Sequence, residues 1–555
     1  MAGLLAPKPL PYDALEWERM PFRPRMRLAC ANWALDGYGA PLAIYGAYAL
    51  KIGLYVAGWL AFCALTPGLG GPATIASWWL TPVAFQKAIL WSMLFEVLGL
   101  GCGSGPLTGR YAPPFGGFLY WLRPGTLKLP LIPGLPLLGG DRRTWLDVLL
   151  YAGLLGVLLA ALLAAAPGVG LSAAVLAVLA ALTLSDRTMF LAARGEHYAT
   201  TVLCFALAGN WIAGAKAVQL ALWFWAGVSK LNHHFPAVVG VMGSNSPFTR
   251  MAWWRRRMYV AYPDDVRPSR LATWMAHAGT ALELAVPLVL LLASGPTGLL
   301  VGIALMLLLH GFITSNVPMG VPLEWNVMVV YAGFALFWAH PEVSVADVGS
   351  WPLAAVLAAA LVAVPLLGNL LPARVSFLPA MRYYAGNWAW SVWLFRGESY
   401  RRLARGLTMT APWVMDQLER FYDHKTAAGL VGKVMAFRAM HLHGRMLGIL
   451  VPRAVGDLAE YTYTDGELVA GLVLGWNFGD GHLHDERLLA TVQKYCGFEP
   501  GELRCIFVES QPLGQATLAW RIFDAAKGEL GRGEVPVAEL RRRQPWDLDA
   551  ASPLG

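Results

Sequence analysis

"TTVLCFALAGNWIAGAKAVQLALWFWAGVSK", residues 200–230, is the stretch on which the fold turns. As one tilted helix it spans about 43 Å, well beyond the roughly 30 Å of a bilayer core. As a hairpin broken at "GNWIAGAK" (209–216), each half reaches only about 22 Å. The two readings put everything after residue 230 on opposite faces of a membrane.

The flanking sequence favours the hairpin. Apolar segments lie at about 40–63, 79–101, 145–165, 170–185, 200–230, 271–293, 298–314, 325–340 and 352–371. The connections after residues 63, 165, 293 and 340 contain no Lys or Arg. Arg19, Arg23, Arg25 and Arg27, Arg110, Arg123, Lys128, Arg142 and Arg143, Arg187 and Arg194, and the run from Arg250 to Arg270 occupy the other connections. The positive-inside rule places these basic loops and both termini in the cytoplasm, and only a hairpin at 200–230 keeps the alternation intact.

A composition of 57% hydrophobic and 14% charged residues, with mean hydropathy +0.49, is that of an integral membrane protein. The expected architecture is an α-helical polytopic membrane protein of about 8–10 segments with a C-terminal soluble α+β domain. Its parts are a cytoplasmic leader (1–39), the transmembrane domain (40–372), an interfacial segment rich in Arg and aromatics (373–397) and the soluble domain (398–555). Within the last, "ELVAGLVLGW" and "ELRCIFVES" read as β-rich, and "ATLAWRIFDAAKGELGRGEVPVAEL" reads as a hairpin turned by Gly528, Gly531 and Gly533. The first apolar run starts only near residue 40, so no cleavable signal is expected. The net charge of +8 fits loops facing anionic lipid better than nucleic acid.

Ionisable groups within apolar segments are costly and mark candidate sites. Glu96, His277, Glu283 and His310 are such groups, and Glu324 and Asn326 open the next segment in "PLEWN". His277 and Glu283 are six apart, about 240° around a helix, so each needs a partner on another helix. In "WFWAGVSKLNHHFP", Lys230 ends an aromatic run and is followed by Asn232, His233 and His234. The helix is expected to stop before Pro236, leaving the ammonium to snorkel to the interface. Lys230, His277, Glu283 and His310 are the catalytic candidates; Lys230, Asn232, His233, His234, Glu324 and Asn326 are the binding candidates.

No metal or cofactor is expected. The cysteines (30, 63, 102, 204, 496, 505) have no C-x-x-C or zinc spacing. "GCGSGPLTG" lacks the Gly-Lys-Ser/Thr ending of a phosphate loop. In "GWNFGDGHLHDE", the pattern around Asp480, His482, His484 and Asp485 reads as a tight Gly-Asp-Gly turn with surface histidines, in preference to a metal site.

Two resemblances follow from these phrases. "FWAGVSKLNHHFP", "SNSPF", "DDVRPSRLATWMAHAGTALELAVPL", "GVPLEWNV", "GWNFGDGHLH" and "RRRQPW" resemble a bacterial transmembrane family known only as a domain of unknown function. That family includes an actinobacterial polar growth factor linked to envelope-lipid export. The resemblance implies an accessory protein of the bacterial inner (cytoplasmic) membrane, with a membrane lipid and an envelope-lipid exporter as partners. Residues 200–330 are also similar to the horizontally transferred transmembrane domain of vitamin K-dependent γ-carboxylases. There the lysine matching Lys230 acts as a base toward a reduced quinone, on the extracytoplasmic side. The substrate-recruiting C-terminal domain of that family has no counterpart here.

Overall fold

Burying this much apolar sequence calls for a helical bundle, and that is what the computed structural model contains. It describes residues 3–112, 117–319, 322–549 and 554. Five helices among them are long and apolar enough to cross a membrane: Leu42–Ala64, Trp145–Leu163, Arg270–Leu292, Pro296–Thr314 and Trp351–Leu370. Val169–Ser185 and Leu323–Trp338 are shorter apolar helices. The segment expected at 79–101 forms Pro82–Val97, most of whose side chains are buried within the protein.

Residues 200–230 form two helices, Tyr198–Ala206 and Trp211–Ser229, broken at Leu207–Asn210. Asn210 caps the second by accepting from the backbone N–H groups of Ile212 and Ala213, and Gly209, at φ +143°, makes the bend. The break lies against the loop before Trp351, where the Asn210 N–H donates to the Val348 carbonyl. Nearby, Lys216 donates to the His340 and Val343 carbonyls. The hairpin tip and the 339–350 connection, which lacks Lys and Arg, therefore share one end.

Two of these apolar helices contain π-helical turns, Gly333–Trp338 and Ala359–Ala363. Pro365 follows the second. Having no N–H, it cannot donate to the carbonyl four residues back, that of Leu361; the Trp225 indole N–H donates there instead, at 2.6 Å.

Several basic connections meet the C-terminal part at the other end. Arg187 pairs with Asp485 at 3.7 Å and Lys494 with Asp141 at 2.6 Å, while Arg27 of the leader pairs with Asp264. A small hairpin, β1 (Tyr259–Ala261) and β2 (Asp265–Pro268), carries Asp265, which accepts from Gln544 at 2.6 Å.

The C-terminal sheet consists of β3 (Trp390–Arg396), β4 (Tyr461–Asp465), β5 (Leu503–Val508), β6 (Thr517–Asp524) and β7 (Gly528–Pro536). It is antiparallel throughout, in the order β4-β3-β5-β6-β7. Three expectations need correction. Residues 390–396, assigned to an interfacial segment, form the sheet's second strand, buried on both faces except at Arg396. "ELVAGLVLGW" is a helix, Gly466–Leu474, opened by the Asp465 cap and closed by Gly475 at φ +90°; a short apolar run does not distinguish strand from buried helix by periodicity. In the β6–β7 hairpin Gly528, at φ +84°, adjoins the turn, whereas Gly531 and Gly533 lie within β7.

The leader and C-terminal part are not separate from the bundle, since one continuous apolar core runs through all three. Helix Phe22–Asp36 packs on His424–Met440 through Trp33 and Phe437, 5.5 Å between ring centroids. The shared basic end predicts opposite labelling of single cysteines. Asp264→Cys should react with an impermeant maleimide only after permeabilisation, and Ser294→Cys in intact cells; the reverse pattern would overturn this arrangement.

Candidate functional site

Lys230 sits at the C-cap of Trp211–Ser229, so the helix stops before Pro236 as expected, but its ammonium does not snorkel. The residue is 7% exposed. Its Nζ is 2.6 Å from Glu283 Oε2 and donates to the carbonyls of Tyr383 at 2.7 Å and Ala226 at 3.2 Å. Three acceptors thus meet the three N–H groups of an ammonium. Gly227 allows this approach, because a Cβ there would lie 2.7 Å from the Leu284 side chain, beside Glu283.

The remaining candidates separate. His277 is exposed, on a different face of its helix from Glu283, and does not join the site. His233 is exposed, while His234 is fully buried with Nε2 2.9 Å from Gln511 Oε1. Asn232 accepts from the backbone N–H of His234 at 2.7 Å and so shapes the start of Phe235–Asn245. His310 Nε2 accepts from the Trp223 indole at 2.9 Å; its proton therefore sits on Nδ1, which donates to Asn326 Oδ1 at 2.7 Å. Both nitrogens are in use, and His310 is not poised for proton transfer.

The "PLEWN" residues fan out to three partners. Glu324 Oε2 is 2.8 Å from Lys51 Nζ, Trp325 donates to His197 Nδ1 at 3.0 Å, and Asn326 meets His310. Trp325 also packs on Tyr383, with ring centroids 5.1 Å apart, and lies under the Arg194 guanidinium. From there the polar chain continues. Tyr383 Oη donates to Glu196 Oε1 at 2.9 Å, Arg194 Nε donates to the same oxygen at 2.8 Å, and Arg194 Nη1 reaches Cys102 Sγ at 3.1 Å. Tyr383 joins the two halves, its backbone holding Lys230 and its hydroxyl holding Glu196.

The chain ends in the glycine-rich stretch that lacks a phosphate-loop signature. There Glu96 accepts from the Cys102 N–H at 2.7 Å and the Cys102 thiol at 3.1 Å, while Lys51 donates to Gly101 O at 2.9 Å and Ser104 Oγ at 3.0 Å. A Cβ on Gly101 would collide with the Glu96 carboxylate. The glycines thus cradle a carboxylate and an ammonium. Among the described residues, Glu96, Cys102 and Glu324 alone bring three metal-ligating atoms within 4.8 Å of one another. Lys51, Cys102, Arg194, Glu196 and Tyr383 were absent from the sequence-based candidates. Only Lys51 carried a usable signal, as a lone charge inside an apolar helix.

Between bundle and sheet lies a small cavity of about 70 Å³, with walls that include Phe377, Tyr383, Tyr384, Trp388, Phe437 and Phe478. The Tyr384 hydroxyl and Trp388 indole N–H are both buried and have no hydrogen-bond partner among the described residues. Burial raises the carboxyl pKa of Glu467, on the same wall.

The Gly-Asp-Gly turn packs closely, since a Cβ on Gly481 would strike the backbone of Ala389 and Trp390. Its histidines are buried, contrary to the surface expectation, and have different partners. His484 Nδ1 is 2.6 Å from Ser391 Oγ, and His482 Nε2 is 3.0 Å from Glu509 Oε2. Burial opposes charge on His482, yet Glu509 and Asp480 outweigh it and raise its pKa to about 10. A folded pKa above the unfolded value of about 6.5 gives stability that is complete below pH ~6.5 and lost as pH rises through ~10. His482→Gln should therefore lower the melting temperature clearly at pH 6 and little above pH 10. An equal loss at both, read by a thermal-shift series, would contradict the charged pair.

A family model described as "Transmembrane protein of unknown function (DUF3556)" matches residues 2–554. No curated protein matches the chain. No solved structure matches it.

Proposed function

The chain belongs to this family of transmembrane proteins, and from that premise we propose that it is an accessory protein of the cell envelope that binds one end of an envelope lipid where the bundle meets the sheet. Its site is the bacterial cytoplasmic membrane, and its partner is an exporter of that lipid. The carrying observation is the junction cavity, whose lining includes Tyr384 and Trp388, residues with a buried hydroxyl and a buried indole N–H that have no partner among the described residues. Leaving buried polar groups unpaired costs about 1–3 kcal/mol each, and a polar headgroup entering the cavity would recover that cost. Its size suits the end of a ligand, not a whole lipid.

One observation favours a second reading, a membrane enzyme of the γ-carboxylase-like superfamily with Lys230 as base. Lys230 is withdrawn from water with an acceptor, Glu283, at 2.6 Å. Against it, all three Lys230 protons have acceptors, His310 is fully engaged and His277 lies outside the site. The accessory reading makes Lys230 a positioning residue.

Two experiments separate these readings. Tyr384→Phe combined with Trp388→Phe removes polar groups that have no partner among the described residues, so stability should hold while lipid retained from native membranes falls about thirtyfold, as expected for two hydrogen bonds of about 1 kcal/mol each. Unchanged retention by mass spectrometry would refute the cavity as the site. Lys230→Arg keeps the charge but cannot act as a base near neutral pH. It should support growth in a complementation assay, whereas Lys230→Ala, which leaves Glu283 buried and unpaired at a cost of about 3–5 kcal/mol, should not. Failure of both with normal expression would favour the base.

A further inference from the structure

We propose that Glu96, Cys102 and Glu324 form a zinc-class divalent metal site at the end of the buried polar chain. Cys102 Sγ and Glu96 Oε1 are already 3.1 Å apart, and the three ligand atoms lie within 4.8 Å of one another, so closure on an ion requires only side-chain adjustments. A zinc ion binds sulfur at about 2.3 Å and carboxylate oxygen at about 2.0–2.2 Å.

Two observations point to a ligand independently of this proximity. Glu324, 1% exposed, gives Oε2 to Lys51 and leaves Oε1 with no hydrogen-bond partner among the described residues. The Tyr198 hydroxyl is also buried and, among the described residues, unpartnered, and it lies in the field of Glu96, Arg194 and Cys102. The local charges carry the same implication. Lys51 and Arg194 together supply two positive charges, against Glu96, Glu324 and Glu196. With all three carboxylates ionised and a neutral thiol, this set of five side chains carries one net negative charge. A dication with a Cys102 thiolate makes it neutral, and Arg194 Nη1, 3.1 Å from Sγ, is placed to stabilise that thiolate.

The donor set selects the ion. A thiolate disfavours magnesium and calcium and suits zinc, and two carboxylates complete three of the four positions of a tetrahedron. Lys51 and Arg194 then act on the ligands from outside, orienting Glu324 and the sulfur. The "GCGSG" glycines acquire a purpose, letting the Cys102 backbone and thiol close on the Glu96 carboxylate.

The test uses full-length protein in detergent, incubated with zinc and desalted without chelator. About one zinc per chain is expected by mass spectrometry of the metal, falling at least tenfold in Cys102→Ser and in Glu324→Gln and unchanged in Cys496→Ser. Cobalt substituted into the unmutated protein should show a thiolate-to-metal charge-transfer band, which keeps the proposal testable if a variant fails to fold. Less than about 0.1 zinc per chain, zinc retained in Cys102→Ser, or cobalt binding without the thiolate band would each overturn it.

Discussion

Lys230 and Glu283 meet at 2.6 Å inside an apolar bundle, and the surrounding architecture follows from the need to keep them together. A lone buried charge costs several kcal/mol, so neither side chain is tolerable without the other. Gly227 brings their helices into contact, the end of Trp211–Ser229 releases Lys230 at the right level, and the Tyr383 carbonyl supplies a further acceptor. Because Tyr383 lies just before β3, this pairing also joins the bundle to the C-terminal sheet. Through the Tyr383 hydroxyl it extends to Glu196, Arg194, Cys102 and Glu96.

That extension explains how bundle and sheet come to share one apolar core. The basic connections and the C-terminal part meet in ion pairs, and Trp325, Tyr383 and Arg194 stack on one another. The junction is thus densely polar on one side and aromatic on the other. A cavity there with unpartnered polar groups has the chemistry to take one end of an amphipathic molecule.

Much of the scaffold was legible in the sequence. Charge asymmetry between connections and the Gly and Asn of "GNWIAGAK" were enough to expect a break within 200–230, because helix length and the loss of periodicity at Gly and Asn are local properties. The fate of "ELVAGLVLGW" was not, since its nine-residue helix is buried throughout and, beyond Glu467 in its first turn, shows no polar face to reveal a helical period. For the site, Lys230, Glu283, Glu324 and Asn326 were recognisable as charges or polar groups in apolar surroundings. Their pairings were not, because each partner comes from another helix or a distant loop. Snorkelling was the local expectation for Lys230, and a tertiary contact with Glu283 overrode it. Cys102, Glu196 and Tyr383 gave no signal at all, as ordinary residues in loops whose role depends entirely on what folds against them.

The most direct test of the central claim is a cryo-electron microscopy map of the protein extracted with its native lipids. Ordered non-protein density is expected in the junction cavity, within hydrogen-bond distance of Tyr384 Oη and Trp388 Nε1, with Lys230 still paired to Glu283. A cavity closed by its own side chains, or a lipid bound elsewhere with these two groups paired to protein, would contradict it.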